Sequence, residues 1–191
     1  MTARLAFDGG FQDESIESAR AFRLILDALA RPGRIATLPA MTPPAPLSSA
    51  AATVLLTLAD STTPVFLAPA HRIETVEQWV RFHTSAPLVS SKAEAVFALG
   101  TWDDLDGRAG FPTGTELYPD RSATLIVEQA SLQADGVRLT GPGIETEAFL
   151  SLPEVKAFKA NSSLYPLGLD FFFCSGNQLA GLPRSTQVEA L

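Results

Sequence analysis

The chain has 191 residues, a formal net charge of −7 at pH 7 and a single cysteine. This length fits one domain, and one cysteine excludes an intramolecular disulfide. The negative charge, without any cluster of lysine or arginine, argues against nucleic acid as a partner, because binding it requires a basic surface. The sequence has no apolar run of about 18 residues and no signal-like start, so we expect a soluble, cytoplasmic protein without a membrane partner.

The composition is poor in charge. Only 18% of the residues are charged, while 46% are hydrophobic. An average domain has about 25% charged residues. Too little charge is available to cover the whole outside, so we expect part of the surface to be buried against another chain, as in obligate oligomers.

The first predicted helix covers about residues 13–30 and ends at Arg31-Pro32-Gly33, which combines a basic residue, a breaker and a glycine. Arg23 and Asp27 lie four residues apart on it and can pair. Its apolar residues recur at helical spacing along one stripe, which consists of Ala19, Phe22, Leu26 and Leu29.

A proline-rich loop is predicted at 39–47, followed by a helix that Ser48 or Ser49 caps and that extends to Ala59. This helix has almost no polar face, so we expect it in the core or in an interface. A third helix is predicted from about Glu74, ending before Pro87. Strands are predicted at 34–38, 64–68 and 95–99.

In the second half, residues 122–129 and 136–140 are predicted to form an antiparallel hairpin. The uniformly apolar run 169–174 predicts a central strand covered on both faces. A short helix near Pro153, a strand at 179–182 and a tail at 187–191, in which Val188 and Leu191 could dock, complete the prediction. The elements indicate an α/β fold: a single domain over residues 1–191, with one mixed sheet covered by helices.

Three basic side chains are candidates for binding an anion. Arg81 and His83 lie near a predicted helix exit, where a guanidinium and an imidazolium suit a phosphate or phosphonate. They converge only if the helix ends beside them. Arg184 follows a strand and is the third candidate. The alternatives are a capping or core polar pair for Arg81 and His83, and a buried salt bridge from Arg184 to Asp60 or Asp170.

Metal binding and thiol catalysis are not predicted. His71, His83 and Cys174 lack the spacing of zinc ligands. Cys174 ends a phenylalanine-rich strand, where a free thiol usually acts as a small hydrophobe. The glycines of residues 140–144 could approach an anion, but we interpret this stretch as an ordinary turn at a strand exit.

Short blocks of sequence occur in a characteristic order along most of the chain. They are Phe22-Arg23, Arg31-Pro32-Gly33, Leu56-Thr57-Leu58-Ala59-Asp60, Arg81 to Val89, Pro166-Leu167-Gly168-Leu169-Asp170, and Gly181-Leu182-Pro183-Arg184-Ser185-Thr186. Together they resemble the PhnH family of the bacterial carbon–phosphorus lyase system.

The resemblance implies a role in phosphonate catabolism. With PhnG, PhnI and PhnL, the family serves to form ribose 1-methylphosphonate 5-triphosphate from ATP and methylphosphonate. It also implies a homodimer within a core that contains PhnJ, and a subunit that is not catalytic by itself. The alternative is a stand-alone protein or enzyme that binds a nucleotide or phosphonate through Arg81, His83 and Arg184.

The family's fold is similar to a reduced pyridoxal-phosphate-dependent transferase. The aldimine of that cofactor requires a lysine at a protected site. The only lysines are Lys92, Lys156 and Lys159, all in polar or short-helix contexts. We therefore expect neither pyridoxal phosphate nor another cofactor.

Overall fold

A computed structural model describes residues 8–190, in which four α-helices and ten β-strands form one α/β domain. The helices are α1 (Glu14–Ala30), α2 (Ser49–Leu58), α3 (Glu74–Thr84) and α4 (Val155–Ser162). The strands are β1 (Ile35–Thr37), β2 (Val65–Leu67), β3 (Leu88–Val89), β4 (Phe97–Thr101), β5 (Thr124–Glu128), β6 (Val137–Thr140), β7 (Ala148–Leu150), β8 (Asp170–Ser175), β9 (Gln178–Leu182) and β10 (Gln187–Ala190).

Seven strands form a mixed sheet in the order β1-β9-β8-β5-β4-β2-β3. Neighbours from β3 to β8 run parallel, whereas β9 is antiparallel to both β8 and β1. A smaller antiparallel sheet has the order β10-β6-β7. The predicted α/β fold with a mixed sheet is confirmed, while the likeness to pyridoxal-phosphate-dependent transferases stays a prediction.

Both faces of the large sheet are buried, because side chains alternate along its strands. On β8, Phe172 and Cys174 pack in the cluster that contains α1, α2 and α3. Phe171 and Phe173 pack in the opposite cluster, which includes α4 and the small sheet. The apolar run predicted as a central strand is confirmed.

Helix α2 begins at the predicted cap, where Ser48 Oγ accepts a hydrogen bond from the amide of Ala51 at 3.1 Å. Six of its ten residues are buried, from Ala50 to Leu55. Its small alanines let it approach both α1 and the sheet, which explains why the helix needs no polar face. Its buried residues lie in the core, one of the two predicted places.

The predicted hairpin between residues 122–129 and 136–140 is wrong. Strand β5 lies inside the large sheet, parallel to β4 and β8, whereas β6 pairs with β7 and β10 in the small sheet. Turn residues between two strands favour a local reversal. In this protein the apolar β5 is covered on both faces as an inner parallel strand, and this burial outweighs the local signal.

The expectation of a tail at 187–191 is wrong over its described part, whereas the alternative that Val188 docks is confirmed. Residues 187–190 form β10, paired antiparallel with β6. Val188 is only 2% exposed and packs in the core below the small sheet. A four-residue strand with one buried side chain has too short an alternation of apolar and polar residues to be distinguished from an unstructured chain end. Leu191 lies outside the described residues.

Candidate functional site

Arg184 is held by a network of hydrogen bonds within the protein. Its Nε donates to Asp170 Oδ1 at 3.1 Å, and its Nη1 donates to the carbonyl oxygen of Pro119 at 2.6 Å. Its Nη2 donates to Ser122 Oγ and to Asp170 Oδ2. The side chains of Arg184 and Asp170 are only 14% and 24% exposed. Every guanidinium nitrogen therefore has a partner inside the chain, and the salt bridge to Asp170, one of the two alternatives, is present.

Arg81 and His83 lie on the last turn of α3, which ends at Thr84 with Ser85 in the left-handed region at a φ of 58°. The helix thus ends beside them, as convergence requires. Arg81 is exposed, and its Nη1 lies 3.8 Å from Glu77 Oε2 one turn earlier. This distance and exposure describe a weak surface ion pair that leaves most of the guanidinium accessible.

His83 packs as an aromatic ring rather than as an exposed cation. Its ring centroid lies 4.9 Å from those of Trp79 and Phe82. Its Nε2 is buried without a hydrogen-bond partner among the described residues. Burial lowers the pKa of His83, although the charge of Glu14 acts in the opposite direction. The neutral imidazole is favoured, so His83 contributes less of the positive charge that was expected at this helix exit.

The structure does not gather the three predicted anion contacts in one place. Arg184 follows β9, whereas α3 leads into β3 at the other end of the sheet order, with β8, β5, β4 and β2 between them. Arg81 and His83 share one helical turn. Arg184 instead joins the start of β8 to the segment before β5.

Helix α1 has two apolar faces, and the larger side chains lie on the outer one. The inner face buries Ala21, Ile25 and Ala28. On the outer face Ile16 and Phe22 are each 49% exposed and Leu26 is 53% exposed. We call Ile16, Ala19, Phe22 and Leu26 the outer stripe; all four side chains are exposed.

The predicted stripe of α1 therefore contains the outward residues rather than the buried ones, apart from the half-buried Leu29. A Cβ at Gly181 would lie 2.7 Å from the carbonyl oxygen of Ala28, so α1 packs very close to β9. Only small residues fit at this crossing, which places the bulkier residues outside. The sequence signal for the two faces is the combination of large apolar residues on one side of the helix and alanines on the other.

The predicted pair between Arg23 and Asp27 is wrong. Asp27 instead binds Arg31 at 3.0 Å and Arg34 at 2.8 Å. Both partners follow the end of α1, where cations also interact favourably with the helix dipole. Arg23 thus stays beside the outer stripe without an ion pair in residues 8–190.

The carboxyl ends of β5 and β8 bring Glu128 and Cys174 side by side. Burial raises the pKa of the Glu128 carboxyl, although the Ser48 amide donates to its Oε1 at 2.8 Å and acts in the opposite direction. Burial, followed by the charge of Glu128, raises the pKa of the Cys174 thiol. The thiol is fully buried and stays protonated, which suits the predicted hydrophobic role and not a nucleophile.

The lysines do not fit the aldimine of pyridoxal phosphate. Lys92 Nζ donates to the carbonyl oxygen of Leu105 at 2.7 Å and lies 5.3 Å from the ring centroid of Phe111. Lys156 and Lys159 are exposed on α4. Each lysine thus either has a structural contact or faces solvent, whereas the aldimine needs a protected amine free to react.

Neither a metal-binding cluster nor a membrane-spanning helix is present in residues 8–190. In that part of the chain no set of three or more histidine, cysteine and acidic residues is arranged to hold a metal ion. None of its helices combines the length and the apolar character that crossing a membrane requires.

The model of the PhnH family, described as bacterial phosphonate metabolism protein (PhnH), matches residues 9–189. The chain belongs to the PhnH family. It is 37% identical to the α-D-ribose 1-methylphosphonate 5-triphosphate synthase subunit PhnH of Rhizobium meliloti (strain 1021), over 96% of each chain. It is also 29% identical to the putative C-P lyase subunit protein HtxG of Stutzerimonas stutzeri, over 88% of this chain and 84% of that protein. This PhnH-family chain thus matches both relatives over most of its length.

Proposed function

We propose that this chain serves as the PhnH subunit of ribose 1-methylphosphonate 5-triphosphate synthase in the breakdown of phosphonates by the carbon–phosphorus lyase system. The observation that carries the proposal is the likeness to the Rhizobium subunit along nearly the whole of both chains. The match to the C-P lyase protein of Stutzerimonas supports the same pathway. The chain acts as a component of the assembly and is not catalytic by itself.

The outer stripe of α1 supports this role as a component. Ile16, Phe22 and Leu26 are each about half exposed on one face of a helix whose other face is already in the core. Large apolar side chains at a surface become stable when a partner covers them. We assign this face to contacts with other subunits: a second copy of this chain, or the proposed partners PhnG, PhnI, PhnJ and PhnL.

The second function, binding of a phosphonate or nucleotide through Arg81, His83 and Arg184, stays a prediction. Arg81 is accessible for such a role, whereas each guanidinium nitrogen of Arg184 already donates to a partner within the chain. The contacts of Arg184 and the aromatic packing of His83 favour structural roles for both. The cytoplasmic location and the absence of a cofactor stay predictions as well.

Co-purification tests the subunit role. The tagged full-length chain is expressed together with PhnG, PhnI, PhnJ and PhnL, and the proteins that stay bound after size-exclusion chromatography are identified. We expect wild type to retain its partners, and the double variant Phe22→Ser/Leu26→Ser to lose at least one of them while still folding. The matched control is Leu117→Ser, which changes an apolar side chain that is 84% exposed and is not part of α1.

Growth on methylphosphonate as the phosphorus source gives the second readout. A deletion strain complemented with wild type or Leu117→Ser should grow, and one complemented with the double variant should grow poorly. Two results together would contradict the subunit role. They are normal growth of the strain that carries the double variant, and the absence of every proposed partner from the purified wild-type chain.

A further inference from the structure

A cavity of about 590 Å³ lies between the segment Asp8–Gln12, which we call the arm, and helices α1 and α2. Its other wall is the loop at residues 39–42. Small-molecule sites in proteins have volumes of roughly 300–1,000 Å³, so a ligand larger than a simple ion fits here. The cavity shares no lining residue with Arg81, His83 or Arg184.

The arm is held in place by α3. Trp79 Nε1 donates a hydrogen bond to the carbonyl oxygen of Asp8 at 3.0 Å. Gly10 touches the His83 ring so closely that a Cβ there would lie 2.5 Å from its Cε1. Gly9 has a φ of 82°, in the left-handed region, and lies against the carbonyl of Thr42. This wall of the cavity is therefore fixed by contacts that only glycines allow at two consecutive positions.

The opposite wall is fixed as well. The amide of Met41 donates to Ser49 Oγ at 2.9 Å, which ties the loop to the start of α2. The hydroxyl of Thr53 donates to the carbonyl oxygen of Ser49 at 2.8 Å. Phe11, Pro39 and Met41 supply apolar surface to the cavity. A ligand with an organic body would contact this apolar part.

The residues that line the cavity include one basic side chain and a run of backbone amides without partners among the described residues. Arg20 lines it, is exposed, and has no ion pair within the described residues 8–190. In the same part of the chain, the backbone amides of Gly9, Gly10 and Phe11 have no hydrogen-bond acceptor. Successive backbone amides and a guanidinium together are a favourable arrangement for an oxyanion.

One acidic side chain, Glu17, also lines the cavity. Its Oε2 accepts a hydrogen bond from the amide of Gln12 at 3.0 Å, so this carboxylate is partly used in holding the arm. It nevertheless carries a negative charge near Arg20. Glu17 therefore weakens the attraction of the cavity for an anion, and removing its charge should not weaken the binding of an anion.

We propose that the arm cavity binds a small organic oxyanion of the phosphate or phosphonate class, with Arg20 as its charged contact and the arm amides as neutral donors. The apolar wall takes the organic part of the ligand. The choice of a phosphonate over a phosphate rests on the proposed function, whereas binding of an oxyanion does not.

Calorimetric titration of the purified full-length chain with methylphosphonate, inorganic phosphate and tripolyphosphate tests the proposal. At low ionic strength we expect saturable binding of at least one of these probes. Arg20→Gln should raise the Kd about tenfold or more, because a charge-assisted contact is lost. Arg20→Lys should give an intermediate Kd, and Glu17→Gln should bind as well as wild type or more tightly.

The matched control is Arg23→Gln, which removes the same charge from the same helix outside the cavity lining. It should leave the Kd unchanged. Arg81→Gln serves the same purpose for the helix exit of α3. Gly10→Ala is an independent variant, since its Cβ would push the arm away from His83 and weaken binding without any change of charge.

Three results would overturn the proposal: no binding of any probe by wild type at millimolar concentration, an unchanged Kd in Arg20→Gln, or an equal loss in Arg23→Gln. Tighter binding of these anions by Arg20→Gln would overturn it too, because Arg20 would then not be the charged contact. Because the isolated chain is titrated, a failure to co-purify with other subunits does not affect this result. Equal Kd values for phosphate and methylphosphonate would support the oxyanion site but contradict its preference for a phosphonate.

Discussion

Arg184 uses all of its guanidinium nitrogens inside the protein, and it joins three separate parts of the chain. Asp170 begins β8, Pro119 and Ser122 precede β5, and Arg184 follows β9. The amide of Arg184 also donates to Asp170 Oδ1 at 2.9 Å. Hydrogen bonds that involve a charged group contribute more to stability than neutral ones, particularly when water is largely excluded.

Replacing Arg184 with methionine should therefore destabilise the fold. The variant keeps much of the side-chain volume but leaves the Asp170 carboxylate without its cation. We expect a loss of about 2–4 kcal/mol in the free energy of unfolding, since the pair is mostly shielded from solvent. Denaturant titration followed by circular dichroism measures it.

The control is Arg138→Met, which removes an arginine from exposed ion pairs with Glu147 and Glu189. Exposed pairs contribute little, so this variant should unfold close to wild type. If Arg184→Met were as stable as wild type, Arg184 would be available for another role, and the predicted anion contact would regain support.

Glu128 gives a pH-dependent prediction. Burial raises the pKa of its carboxyl, so the folded state holds the proton more tightly than the unfolded state. This contribution to stability is fully present below the ordinary pKa near 4.5 and is lost as the pH rises through the folded-state value. Glu128→Gln cannot ionise, and its amide oxygen can still accept from the Ser48 amide. Relative to wild type, the variant should gain stability as the pH rises from about 4.5 through the folded-state pKa of Glu128.

The free energy of unfolding of both proteins, measured as a function of pH, checks the direction of this effect. Glu116→Gln makes the same change at an exposed position and should show no such trend. A Glu128→Gln variant that loses stability relative to wild type as the pH rises would mean that the Ser48 hydrogen bond outweighs the cost of burying the charge.

At the scale of elements, the sequence predicted most helices and strands but not how the strands pair. Hydrophobic periodicity and caps are local, so α1, α2 and α3 begin and end close to the expected residues. Pairing is not local. The hairpin prediction for β5 and β6 failed because β5 finds neighbours that lie about 25 to 50 residues away in sequence, β4 and β8.

The same limit applies to the candidate site. The sequence indicated Arg184 and both of its alternative roles, yet the choice depended on Asp170, Pro119 and Ser122 meeting in space. In α1 the sequence showed the apolar residues but not which face turns to the core. That choice is made by the close approach of Ala28 to Gly181, a contact between distant segments. The sequence did not indicate Arg20 as a binding residue, because no motif near it in the sequence predicts a cavity.

Strand β10 is an element whose stability contribution can be measured. Val188 is its one buried side chain, and it packs with the residues of the small sheet. Val188→Ala should lower the free energy of unfolding by about 2–3 kcal/mol, from lost burial and the cavity left behind. Gln187→Ala, at the exposed neighbouring position, should have little effect. Equal stabilities of the two variants would mean that β10 frays from β6 in solution.

At the scale of the whole molecule, the two faces of the large sheet are covered by elements of the chain itself. Helices α1, α2 and α3 cover one face; α4 and the small sheet cover the other. Apolar side chains on the outside of α1 are therefore not needed to complete the core. A helix that serves only to cover a sheet would have a polar outer face.

Self-association is the prediction that belongs to this scale. The outer stripe and the low content of charge favour association of the free chain into a symmetric dimer, in which the same stripe is used by both copies. Sedimentation equilibrium should give about twice the chain mass of 20.3 kDa for wild type and for Leu117→Ser. The double variant Phe22→Ser/Leu26→Ser should sediment as a monomer, because each substitution replaces apolar contact area with a hydroxyl that water solvates. A wild-type chain that stays monomeric at about 100 μM, where interfaces of standard size are normally saturated, would assign the stripe to unlike subunits alone.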